Sequence, residues 1–180
     1  MRIRWRGVET GSAETLELSV SADGVLATAV VEGLNSSLRY AARITARWEF
    51  ADLVVDDGRA GSLHLARSAA GDWWANGEHR LDLSAAIDID LSFSPFTNTL
   101  PIRRLALRSG ESQDIVTAYV TDTLEVLPDP QRYTCLSRDR YLYESRDSDF
   151  RREILVDGSG LVLEYPGLYL RASEQDPQGS

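Results

Sequence analysis

Asp88 and Asp90 stand on either side of one residue in Ile87-Asp-Ile-Asp-Leu91, and Arg103 and Arg104 follow as an adjacent pair after Ser94-Pro-Phe-Thr-Asn-Thr-Leu-Pro-Ile102. In an extended chain alternate side chains share a face. Both carboxyls would then point one way, with alpha carbons about 6.5 to 7 Å apart, and Ile87, Ile89 and Leu91 the other way. At that spacing one carboxylate raises the other's pKa unless a cation intervenes. Such a pair can pass protons to and from a substrate, as paired carboxyls do in glycosidases. It can equally contact a ligand, or be held by Arg103, Arg104, Asn98 or backbone N–H groups as a structural corner. The residue types leave all three readings open.

Arg103-Arg104-Leu105-Ala-Leu107 reads as the start of an extended run. Its two guanidinium groups would then face opposite ways, one clamping the aspartates and the other meeting solvent or an anionic head group through paired hydrogen bonds. Pro95 and Pro101 lack an N–H and restrict the residue before them, so the best short-helix candidate, Pro95 to Arg104, is expected to break at Pro101. Thr97 and Asn98 suit bonding to local backbone in a turn.

Aromatic residues supply a second kind of surface. Trp48, Phe50, Tyr119, Tyr141, Tyr143 and Tyr165 fall at strand positions, and Trp73-Trp74 puts one ring on each face of its strand. Rings with polar tips suit an acyl chain or the apolar face of a sugar, and they serve equally as core. The ligand-lining candidates are Trp48, Phe50, Trp74, Tyr119, Tyr141 and Tyr143, with Arg103 and Arg104 as polar contacts; if the protein is an enzyme, Asp88 and Asp90 are the catalytic candidates. His64 and His79 lie in different strands without partners at metal-ligand spacing, so no metal and no cofactor is expected. The chain has no nucleophile elbow, dinucleotide fingerprint or Walker loop. All 19 basic residues are arginine, which removes Schiff-base chemistry.

A period of two positions these residues from end to end: Leu16, Leu18 and Val20; Ile44, Ala46, Trp48 and Phe50; Leu63 and Leu65; Ile115, Thr117 and Tyr119. The runs end near turn signals at Asp23-Gly24, Asp57-Gly58, Asn76-Gly77, Ser109-Gly110 and Asp157-Gly158, and Gly158-Ser-Gly160 reads as a hairpin between Ile154–Val156 and Leu161–Leu163. No window of ordinary helix length keeps a 3.6 period. The expectation is an all-β, mostly antiparallel meander. A shift of 93 positions carries Thr28, Glu32, Leu34, Arg39 and Tyr40 onto Thr121, Glu125, Leu127, Arg132 and Tyr133, and Trp48 and Phe50 onto Tyr141 and Tyr143, which suggests two related halves.

At 180 residues the chain suits one domain, residues 1–172, with a polar tail at 173–180 expected to fray. A net charge of −9 opposes nucleic acid as a partner. No run approaches the roughly 20 apolar residues of a membrane span. The basic opening lacks the apolar stretch of a secretory signal, and one cysteine, Cys135, allows no internal disulfide; both fit the cytoplasm.

The segment Ser94 to Leu105, entered by an Asp-x-Asp strand, resembles the signature of the bacterial family labelled putative glycolipid-binding, a domain of unknown function. Trp5, Gly71-Asp-Trp-Trp74, Gln131-Arg-Tyr133, Val156-Asp-Gly-Ser-Gly-Leu-Val162 and Tyr165-Pro166 are similar too, so the resemblance spans nearly the whole chain. It implies a spiral β-roll of two related halves that binds a lipid-like or glycolipid-like small molecule in its interior without a covalent bond. An enzyme acting on a hydrophobic molecule through Asp88 and Asp90 is the alternative. A cytoplasmic interaction domain with a solid interior is the third reading.

Overall fold

The computed structural model describes residues 1–33, 37–58 and 61–172; the tail at 173–180 and Leu34 lie outside them. Among the described residues fifteen strands join one sheet. The first eight are β1 (Arg2–Gly7), β2 (Ala13–Ser21), β3 (Gly24–Glu32), β4 (Leu38–Ile44), β5 (Phe50–Asp56), β6 (Ser62–Arg67), β7 (Trp73–Ala75) and β8 (Glu78–His79). After a crossing segment come β9 (Asp88–Leu91), β10 (Ser112–Val120), β11 (Val126–Ser137), β12 (Arg140–Ser145), β13 (Arg151–Val156), β14 (Val162–Tyr165) and β15 (Tyr169–Arg171). The sheet order runs β8 through β1, then β15 down to β9, so the first and last strands pair at its centre and β8 and β9, neighbours in sequence, form its two ends. Among the described residues every pairing is antiparallel except β9 with β10, which is parallel; the mostly antiparallel sheet expected is present. A parallel pair needs a long crossover, and residues 92–111 provide it.

Alternation makes the core. In β3 and β4 every second residue is buried, so Val25, Ala27, Ala29, Val31, Leu38, Tyr40, Ala42 and Ile44 form one apolar face. That core continues through Leu53, Leu65 and Trp73 to Ile89 and Leu91 of β9 and Ala118 and Val120 of β10. A second core packs Tyr133, Tyr141, Tyr143, Ile154, Val156 and Tyr165 on Ile102. Trp5 is fully buried and its indole N–H donates to the Val162 carbonyl at 2.8 Å, tying the first strand to β14.

The crossover is helical. Pro95–Asn98 forms a 3-10 turn and Thr99–Leu105 an α-helix, α1. The expected break at Pro101 does not occur, because Pro101 is the third residue of α1, and first-turn N–H groups have no intrahelical partner to lose. Ser94 caps the turn by accepting from the Phe96 N–H at 3.2 Å. The extended run expected from Arg103 is likewise corrected: both arginines lie in the last turn of α1, and Ala106, at φ +46°, ends it in the left-handed region. Trp48 is not in a strand either. It sits in the β4–β5 turn at φ +65°, its N–H donating to the Thr45 carbonyl at 2.9 Å. The 93-position shift therefore lays a turn residue, Trp48, over a strand residue, Tyr141.

Candidate functional site

The aspartate strand β9 delivers its two carboxyls to different partners. Asp88 is completely buried and accepts two hydrogen bonds from Arg104 Nε, at 3.0 and 3.2 Å, and one from Nη2. Burial pushes its carboxyl above the usual range, against the pull of Arg104. The expected clamp is present, and Arg104 is its arginine. Arg103 projects elsewhere, its guanidinium carbon 4.9 Å from the centre of the Trp48 ring and Nη1 donating to the Ser159 carbonyl at 3.4 Å. On a helix, adjacent side chains diverge by about 100°, which separates the two arginines.

Asp90 meets no arginine among the described residues. Thr97 Oγ1 donates to it at 3.2 Å and Gln131 Nε2 at 2.8 Å, and the same Gln131 nitrogen donates to Asp129 at 2.6 Å. Burial lifts Asp90 to about 6, with the charge of Asp129 adding to the rise and the two hydrogen bonds opposing it. Thr97 also accepts from the Leu91 N–H, and Asn98 spans from the Pro95 carbonyl to the Tyr133 hydroxyl, which donates to it at 2.8 Å. Thr97 thus braces the acid strand, and both Thr97 and Asn98 donate to local backbone, at the Ser94 and Pro95 carbonyls, as expected of them.

A third buried acid was not expected. Glu14 of β2 accepts from the Tyr40 hydroxyl at 2.6 Å and from Ser94 Oγ at 2.7 Å, and burial raises its carboxyl to about 7. Its sequence signal was the apolar face of β2: Glu14 continues the series Leu16 and Leu18, so an acid occupies an inward position.

Beside the Asp88–Arg104 pair opens a groove of about 470 Å³. Ala85, Ile87, Leu105, Ile115, Val116 and Pro130 give it apolar walls, and Arg104, Asp114, Arg146 and Gln113 supply polar groups. It follows β10 where β9 leaves it uncovered, since β9 pairs only with Thr117 to Val120. Asp114 is gripped by Arg132 through two bonds, at 2.8 and 2.7 Å, with Arg146 Nε 3.4 Å away.

Of the sequence candidates only Arg104 lines this groove. Phe50 is buried against Trp73, ring centres 5.0 Å apart, and Trp74 lies on the other face beside His79 at 5.4 Å. Tyr141 and Tyr143 are buried in the second core, while Tyr119 is half-buried opposite Asp90. His64 contacts Asp52 and His79 approaches Asp72, separately. Gln131, Asp129, Arg146 and Ile115 came without a site reading, although Gln131-Arg-Tyr133 belongs to the motif set.

The chain thus sets a largely antiparallel β-sheet, an Asp-x-Asp strand and the Ser94–Leu105 crossover side by side. The chain belongs to the family described as Putative glycolipid-binding, whose model matches residues 2–171. It is similar to a solved DUF1089 family protein, PA1994 from Pseudomonas aeruginosa: 35% identity over 89% of this chain and 92% of that one, with a TM-score of 0.77. No curated protein matches the chain.

Proposed function

We propose that the protein binds a glycolipid-like amphiphile noncovalently, its apolar chain in the groove along β10 and its polar end toward the Asp88–Arg104 corner. The observation that carries this reading is the groove itself: half-exposed Ile87, Leu105, Ile115 and Val116 surround a volume within the usual range of small-molecule sites, beside guanidinium groups. The family's description supports the same ligand class. The sheet supports a spiral roll. Nine residue steps separate His79 from Asp88, a reach of at most about 30 Å, whereas fourteen flat strand spacings would set the sheet's ends about 67 Å apart. Contacts between its distant parts agree: Arg80 Nη2 donates to the Val126 carbonyl at 2.7 Å and the Phe50 N–H to the Ile87 carbonyl at 3.3 Å. The reading places the protein in the cytoplasm, with Cys135 a buried free thiol.

A fluorescent acyl-chain analogue tests this. Saturable binding to the wild type is expected, weakened at least tenfold in Leu105→Arg and Ile115→Arg while thermal unfolding stays cooperative. Undiminished binding in both folded variants refutes the groove. A second reading, acid-base catalysis on the same ligand, draws on Asp90, whose value of about 6 lies near the working range of a general acid or base.

A further inference from the structure

Across from the groove wall Ile115, the sheet face holds more hydrogen-bonding capacity than the protein uses. Gln131 is fully buried; its amide nitrogen serves both Asp90 and Asp129, and its oxygen Oε1 has no partner. The hydroxyls of Tyr143 and Tyr165, residues only 7% and 6% exposed, make no hydrogen bond among the described residues. Both phenols feel the charge of Asp90 and of Asp129, which helps hold them above their ordinary range after burial itself. Native proteins pair nearly all their buried polar groups, so the unpaired Gln131 oxygen, beside two phenols that bond nothing among the described residues, points to a ligand.

The geometry points to a subsite here for a polyhydroxylated ring: we propose that Asp90, Asp129, Gln131, Tyr143 and Tyr165 receive the sugar end of the amphiphile whose chain occupies the groove. This rests on the groove reading above. Two links join the places: Ile115, a groove wall, is the direct cross-strand partner of Gln131, and Arg104, another groove residue, grips Asp88 two positions from Asp90. Directly opposed residues have side chains on one face about 5 Å apart. The donor and acceptor balance selects the ligand. The carboxylates and the Gln131 oxygen accept, so the ligand must donate; the phenols can also donate, so it must accept too. Hydroxyl groups do both. An alkylammonium only donates and leaves the phenol protons unmatched. The tyrosine rings offer flat apolar surface to the C–H face of a sugar.

The test titrates the protein with octyl β-glucoside, 1-octanol and octylammonium, all below micelle formation, by heteronuclear NMR, for wild type, Tyr143→Phe, Tyr165→Phe and the double variant. Since these hydroxyls have no protein partner, the variants should keep the wild-type melting temperature. The glucoside is expected to bind at least tenfold more tightly than octanol. Each phenylalanine should weaken glucoside binding by roughly three- to tenfold, the scale of one hydrogen bond, and leave octanol binding unchanged. Octanol and glucoside binding equally well, or a glucoside preference untouched by the double variant, overturns the subsite and leaves the groove standing. Octylammonium binding more tightly than the glucoside overturns it in favour of a cation site. Failure of both octanol and glucoside to bind overturns groove and subsite together.

Discussion

Glu14→Gln separates a buried acid's charge from its shape. The folded carboxyl holds its proton up to about pH 7, pushed there from 4.5 mainly by burial, and the Tyr40 and Ser94 hydrogen bonds recover only part of that cost. Between those values the folded protein binds more protons than the unfolded chain, so this group makes stability fall as pH rises from 4.5 to 7. Each pKa unit is worth 1.36 kcal/mol, which makes the total loss about 3 kcal/mol by pH 8. Glutamine keeps an oxygen for Tyr40 and Ser94 but cannot ionise. Its amide nitrogen would take the place of Oε2, which has no partner, so the variant carries a constant penalty of about 1 to 3 kcal/mol at every pH. The informative quantity is therefore the change with pH. Urea unfolding at intervals from pH 4 to pH 8 should show the stability of Glu14→Gln, relative to wild type, rising by about 3 kcal/mol across the range. A difference that stays constant with pH refutes the reasoning, because Glu14 would then carry the same charge in both states.

The neighbouring arginines should behave differently from one another through their partners. Asp88→Ala strands the Arg104 guanidinium, itself largely buried, and is expected to cost about 3 to 5 kcal/mol in urea unfolding. Arg103→Ala, which loses a stacking contact with Trp48 at the surface, should cost about 1 kcal/mol or less. Gly160→Ala should lower the melting temperature measurably, since Gly160 has φ +77° and an added Cβ would lie 3.2 Å from Arg103 Cδ and 3.3 Å from Ile102 Cγ2. Asp90→Asn decides between binder and catalyst: ligand affinity should change without any turnover in the wild type, whereas wild-type turnover that drops about a hundredfold in the variant establishes the catalytic reading.

Much of the fold was legible because its signals are local. A period of two, interrupted by Asp-Gly, Asn-Gly and Ser-Gly turns, marks strands whichever partners they later find, and Gly158-Ser-Gly160 does connect β13 to β14. The Asp88–Arg104 pair was legible for a related reason, since opposite charges brought close together in a buried corner must meet. Where local reading failed, position within an element decided. Pro101 breaks a helix from its middle and is harmless in its first turn, and nothing nearby in sequence announces that α1 begins at Thr99. Trp48 fits the alternation of its strand, yet the β4–β5 turn removes it from that register.

The sequence by itself determined a β-rich chain with a braced acid strand, because side-chain period, turn chemistry and charge pairing act over a few residues. Only the tertiary structure decided that β9 joins β10 in parallel while β8 ends the opposite edge, that Gln131 would stand between Asp90 and Asp129, and that Ile115 would border a groove. Each of those depends on which strands pair and in which register. A shift of one residue turns every side chain to the other face, so the pairing of distant strands, set by the whole core at once, determines which polar groups share a site.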